Sequence, residues 1–237
     1  EYKALNSLTC LDLFNPDSVD WYIRQSYDLW QEFSDEFGKT VNSIWVDEPS
    51  YRADFLPWSD FIDRTFRDTY GYDLKEKVNC LYFDDGDYKQ VRYDYWTLLQ
   101  KLMEKAYFQK IAAWCKKNHL NFSGHLMMED ALHRCIRRAC AVMPYYKYFD
   151  IPGIDILSGD LRYRNDPIEN AADNEIICSY TTPKQMISAA HQAGKKYTLC
   201  EMYGVTTNGM GFRDFEHYFD HFASLGINYR SVHGMFY

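Results

Sequence analysis

Residues 196–201 read Lys-Tyr-Thr-Leu-Cys-Glu, a short apolar run that stops on a carboxylate. The pattern is that of a buried strand. A helical stretch precedes it over Pro183–Ala193, with Thr182 placed to cap its start and Gly194 to end it. A second helical stretch, Phe212–Leu225, follows and stops at Gly226, and another apolar run occupies Ile227–Val232. Towards the N-terminus the same beat continues: strands at Asn121–Leu126 and Ile154–Leu157 flank a helix at Glu129–Val142. Val41–Val46 is a further strand, closed by Asp47-Glu48-Pro49, where proline forbids a continuing ladder. Repeated strand–helix alternation predicts a parallel sheet with helices outside it.

The remainder reads as helix with little strand. Asn15-Pro16-Asp17 opens a helix, with Asn15 as cap and Pro16 at the first helical position; its apolar residues recur from Val19 to Phe33, and Gly38 ends it. Ser59–Tyr70, Tyr72–Asn79 and a long amphipathic run, Arg92–Lys117, are expected helices, and Leu8–Leu13 a strand end. There is no linker, repeat or compositional break, so residues 1–237 are expected to form one domain. An open doubly wound sheet and a closed eight-stranded barrel both satisfy the alternation. The polar residues decide between them: Glu48, His125, Asp160, Glu201 and His233 each stand at the end of a strand or just beyond it. A barrel gathers such ends on one rim, where barrel active sites lie. The expectation is a (β/α)8 TIM barrel. Five clear strands and one near Leu8 are fewer than eight, so the first one or two are expected to lie before Glu1 or to have been overlooked.

Composition narrows the function. The chain has 237 residues and a net charge of −8, and its basic residues form no dense patch, so nucleic-acid binding is not expected. No apolar run exceeds about five residues, where a membrane helix needs roughly 20. No signal peptide is visible, although the first residue is Glu1. The seven cysteines include no C-x-x-C pair; read as buried thiols they favour a reducing, cytoplasmic compartment. Neither a dinucleotide fingerprint nor a P-loop is present.

Glu48 and Glu201 close strands separated by two others, which in an eight-stranded barrel would face them across the mouth. Two opposed carboxylates are what glycoside hydrolysis needs: one protonates the leaving oxygen, the other attacks the sugar carbon or activates water. His125 and Glu129 follow the Asn121–Leu126 strand and are candidate substrate contacts. The plainer alternatives are a helix-entry hydrogen bond for His125 and a favourable helix-dipole position for Glu129. His233 and Asp160 are further candidate contacts, with packing and an ordinary turn as their alternatives. Trp45, Tyr203, Trp58 and Tyr51 are candidate sugar-stacking rings in a chain with 18% aromatic residues. His217 and His221 read as an exposed helix face, since the H-E-x-x-H order is lacking. No metal-ligand motif stands out, and Asp84-Asp85-Gly86-Asp87 lacks the spacing of an EF-hand. A non-catalytic carbohydrate-binding barrel, or a metal-dependent hydrolase using His125, His233 and Asp160, are the alternatives.

Several short stretches carry a resemblance: Leu-Phe-Asn-Pro-Asp (13–17), Phe-Gly-Lys-Thr-Val (37–41), Val-Asp-Glu-Pro (46–49), Ser-Gly-His-Leu-Met-Met-Glu-Asp (123–130), Asp-Ile-Pro-Gly-Ile-Asp (150–155), Ala-Gly-Lys-Lys (193–196) and Cys-Glu-Met-Tyr-Gly (200–204). With these the chain resembles bacterial TIM-barrel glycosyl hydrolases related to the α-L-rhamnosidases of glycoside hydrolase family 106. The resemblance implies Glu48 as acid at the fourth strand and Glu201 as base at the seventh, an inverting reaction on a terminal sugar such as an α-L-rhamnoside, and a calcium ion. It also implies flanking β-sandwich domains, so that this segment would be part of a larger multidomain protein. The residues by themselves leave inverting and retaining routes open and call for no cofactor.

Overall fold

The computed structural model describes residues 11–51, 56–129, 132–157, 175–204 and 211–233. Five strands form one all-parallel sheet in chain order: β1 (Ser43–Val46), β2 (Asn121–Gly124), β3 (Ile151–Leu157), β4 (Leu199–Gly204) and β5 (Tyr229–Val232). The sheet curls into half a barrel. The closed eight-stranded barrel expected from the strand ends is therefore not formed by the described residues. Asp47–Leu120, between β1 and β2, adds helices and no strand among the described residues. Of Leu8–Leu13, the described part has no strand pairing and enters a turn, while Leu8–Cys10 lie outside the described residues. Polar strand ends mark the carboxyl edge of any parallel sheet, open or closed, which is why they could not establish closure.

Local chemistry explains the helix boundaries. α1 (Pro16–Gln25) starts as expected: Asn15 accepts the Asp17 N–H and Pro16 sits in the first turn. It stops at Ser26, and a separate 3-10 segment covers Asp28–Glu36, so the apolar spacing from Val19 to Phe33 spans two elements. α2 (Asp60–Tyr70) is capped by the Ser59 hydroxyl and ended by Gly71 in the left-handed conformation. The expected Tyr72–Asn79 helix is displaced to α3 (Val78–Tyr82). The long helix begins earlier than expected, as α4 (Tyr88–Met103), and passes through one π turn (Glu104–Phe108) into α5 (Gln109–Lys117). The helix expected over Glu129–Val142 divides into α6 (Leu132–Ala139) and α7 (Met143–Tyr146), with Cys140 at positive φ between them. α8 (Glu175–Gln192) runs through Pro183, so Thr182 is an interior residue and not a cap. Gly194, at φ +65°, follows it. α9 (Phe212–Leu225) ends at Gly226, as expected.

α5 packs on β2 and α8 on β3. The core beside them is aromatic: Phe122 of β2 stacks on Phe149, just past α7, at 4.3 Å, and Phe108 of the π turn on Tyr145 of α7 at 4.2 Å. Cys80, Cys115, Cys135, Cys140 and Cys200 are buried and in no disulfide among the described residues. No helix among the described residues is long and apolar enough to cross a membrane.

The close approach of β1 and β2 depends on Gly124. Its φ is +126°, and a Cβ there would lie 2.0 Å from the Val46 carbonyl oxygen. A side chain would force the two strands apart immediately before His125. Gly124→Ala is expected to destabilise the fold by more than ~3 kcal/mol, seen as a lower urea midpoint. A midpoint equal to that of the parent would contradict this account of the β1–β2 contact.

Candidate functional site

β1 delivers the first group. Trp45 is exposed, Val46 is buried, and the chain leaves the sheet through Asp47 and Glu48. Glu48 has φ +50°, a conformation that L-residues seldom adopt, immediately before the buried Pro49. Such backbone outliers are concentrated at working sites.

β2 delivers the second. The Ser123 hydroxyl donates to the Ile44 carbonyl at 2.9 Å, and the His125 N–H donates to the Val46 carbonyl at 3.3 Å, so the strand end is fastened to β1. The His125 side chain is only 1% exposed. Its Nε2 lies 2.9 Å from Glu201 Oε2 and 3.4 Å from Asp47 Oδ1, and the Trp45 ring meets it edge-on at 5.5 Å. Its Nδ1 is buried with no hydrogen-bond partner among the described residues.

β3 and β4 complete the cluster. Asp155 and Glu201 are register partners on adjacent strands. Asp155 Oδ1 is likewise buried and unpartnered among the described residues. One donor atom each from Glu48, His125 and Asp155 fall within 4.8 Å of one another. His233, just past β5, donates its backbone N–H to the Met202 carbonyl, and its charge acts on both Asp155 and Glu201.

The environments drive these groups in different directions. Burial pushes the His125 imidazole down, but the hydrogen bond to Glu201 and the charges of Glu129, Asp155 and Glu201 outweigh it, lifting the pKa from 6.5 to about 9. That same hydrogen bond holds Glu201 below the ordinary carboxylate value against its partial burial. Glu48 is raised, first by burial and then by the charges of Asp47 and Glu201, with His125 and Arg138 opposing. Burial lifts Asp155 to about 6 and Glu129 to about 8, in both cases against the nearby His125 charge. Glu48 is thus shifted towards the protonated form and Glu201 towards the ionised form, opposite directions that acid/base catalysis uses.

A pH dependence follows. His125 is raised, so its stabilisation is complete below its ordinary value of 6.5 and is lost as pH rises through about 9. The raised acids Asp155 and Glu129 act in the same sense, losing stability as pH rises through about 6 and about 8. Glu201 acts oppositely: its contribution is present above 4.5 and is lost as pH falls through its lowered folded value. The melting temperature is therefore expected to be highest at weakly acidic pH and to fall between about pH 6 and 9. Thermal melts across that range check this, and a rise would contradict it.

Of the residues expected at a site, the structure brings Glu48, His125, Glu201, Trp45 and His233 to one neighbourhood. Asp160 lies outside the described residues. Glu129 is close but buried, its carboxylate turned to the β3 backbone: Oε1 accepts the Asp155 N–H at 3.0 Å. Tyr203 packs edge-on against Phe215 and donates its hydroxyl to the Phe215 carbonyl, a core position rather than a stacking platform. Tyr51 is buried and donates to the Ile136 carbonyl, while Trp58 is exposed. Asp47 and Asp155 were missed. The signal for Asp155 was a lone carboxylate inside the apolar run Ile-Asp-Ile-Leu.

An open parallel α/β sheet with an acid–imidazole cluster at the carboxyl side of its strands is the class that fold and site define. No protein-family model matches the sequence, and no curated protein matches it. Among solved structures the chain is similar to a rhamnosidase from Novosphingobium sp. PP1Y, with a TM-score of 0.71 over 94% of this chain at 18% identity. The chain spans 20% of the length of that protein. The likeness establishes a shared fold.

Proposed function

We propose that this chain carries the acid/base centre of a glycoside hydrolase. The observation that carries the reading is the opposite tuning of Glu48 and Glu201 around the buried His125. The rhamnosidase-like fold supports it. Glu48, whose pKa is raised, acts as the acid and gives its proton to the leaving glycosidic oxygen as the bond to the anomeric carbon breaks. Glu201, ionised, takes a proton from the water that attacks that carbon. His125 holds the Glu201 carboxylate charged and oriented through the 2.9 Å contact. Trp45, exposed beside it, offers a ring for the apolar face of a sugar. The inverting route and a terminal α-L-rhamnoside as first substrate rest on the family resemblance, as do flanking β-sandwich domains in a longer parent protein.

Glu48, His125 and Asp155 stand close enough to share one cation. They form a mixed nitrogen–oxygen set, and His125 Nε2 already faces Glu201. Calcium takes six to eight oxygen ligands, so these residues do not fit the calcium that the resemblance implies, and no step is routed through it.

The test is release of nitrophenol from a panel of nitrophenyl glycosides, the α-L-rhamnoside first, with and without a strong chelator. Release insensitive to chelator supports the two-carboxylate centre. Loss on chelation, restored by zinc or manganese, would favour a metal-dependent hydrolase. Saturable sugar binding without release would favour a binding module.

A further inference from the structure

β2 ends at Gly124 opposite Pro152, and Pro152 has no N–H to offer a neighbouring strand. β3 continues to Leu157 and carries Asp155 within it. Beyond β2 the chain turns through Met128, at φ +56°, and presents Glu129, which is 3% exposed. Glu129 is fastened at two points. Its carboxylate Oε1 accepts the Asp155 N–H at 3.0 Å. Its backbone carbonyl accepts from Gln185 Nε2 at 2.7 Å and from Thr182 Oγ1 at 3.4 Å, both on α8. A carboxylate buried this deeply is costly to desolvate unless its oxygens are used.

We infer that Glu129 is a positioning residue: its side chain serves as the backbone acceptor that β2 no longer provides, and fixes β3 at Asp155 opposite Glu201. The α8 contacts set where that acceptor stands, so the helix on one face of the sheet determines the spacing of carboxylates at its edge. The consequence for turnover rests on the acid/base reading above; the structural role does not.

The experiment compares Glu129→Gln, which keeps an acceptor oxygen at the same reach, with Glu129→Asp and Glu129→Ala, which withdraw it. Two readouts are taken on folded protein: hydrogen exchange of the Asp155 amide by NMR, and kcat and KM on whichever nitrophenyl glycoside is turned over. In the Asp and Ala variants the Asp155 amide is expected to exchange at least about tenfold faster, and kcat to fall by on the order of 100-fold with KM little changed. Gln is expected to stay within a few-fold of the parent in both. If Ala fails to fold, the Asp–Gln comparison decides. Unchanged Asp155 exchange in the Asp variant would overturn the positioning role, whether or not the protein is a glycosidase. A folded Gln variant as impaired in kcat as Asp, with its Asp155 amide still protected, would overturn the link from position to turnover and assign Glu129 a role through its charge. Exchange results as expected in a protein that turns over no glycoside would uphold the positioning role and reject the hydrolase reading alone.

Discussion

Glu201→Gln is expected to lower kcat/KM on a nitrophenyl glycoside by about 10²–10⁴-fold, the range that a positioned general base contributes. The amide has nearly the shape of the carboxylate and keeps an oxygen that can accept from His125 Nε2, so the fold is expected to survive. What it loses is the ability to take a proton from water. It also loses the charge that raises the His125 pKa through the 2.9 Å contact and the Coulomb attraction. The variant should therefore show two changes together: a collapse of turnover at every pH, and a His125 titration moved down from about 9. The second is visible by NMR of the imidazole carbons and does not depend on finding the substrate. Parent-like turnover in a folded Glu201→Gln protein would remove Glu201 from the mechanism. An unmoved His125 titration would show that the pair is not formed in solution.

The reach of the sequence was set by what a single strand reveals. Glu48, His125 and Glu201 were legible because each follows an apolar run, and a carboxylate or imidazole at such a place is costly unless it is used. Asp155 has Ile154 and Ile156 on either side and reads as the middle of a strand. Its place beside Glu201 exists only through the β3–β4 register, which is a tertiary fact. Glu129 was expected at a helix start, but α6 begins at Leu132, and Glu129 lies in the turn before it. Thr182 looked like a cap because Pro183 follows it. The helix nevertheless runs through the proline, and the Thr182 hydroxyl is turned to the Glu129 carbonyl. Alternation established a parallel α/β sheet. Closure depends on strands pairing at the two ends of that sheet, and no local pattern reports it; among the described residues neither β1 nor β5 has a second neighbour.

His125→Ala is expected to damage both stability and chemistry. His125 is the charge that acts in common on Glu48, Glu129, Asp155 and Glu201. Deleting it leaves Glu201, with a side chain 17% exposed, beside Asp155 on the neighbouring strand without its hydrogen-bonded counter-charge. Removing one partner of a buried ion pair costs about 3–5 kcal/mol, which for a chain of this size is a fall of roughly 10 °C in melting temperature. The sign of the pH effect follows from the two partners. Glu201 contributes as an anion only above its lowered folded value, and His125 contributes as a cation only below about 9. The deficit of the variant is therefore expected to be largest at weakly acidic pH, between about 4.5 and 6.5, and to shrink towards pH 9 and towards strong acid. Chemistry should suffer in the same variant, because Glu201 released from its hydrogen bond rises towards protonation and leaves less carboxylate to accept a proton. His125→Gln separates the two effects, since an amide N–H can still donate to Glu201 while carrying no charge. It is expected to recover part of the orientation but not the charge-dependent stability present at weakly acidic pH. A His125→Ala protein that melts with the parent from pH 5 to 9 would show that the imidazole is a neutral packing group, and the tuning of Glu201 would then need another source.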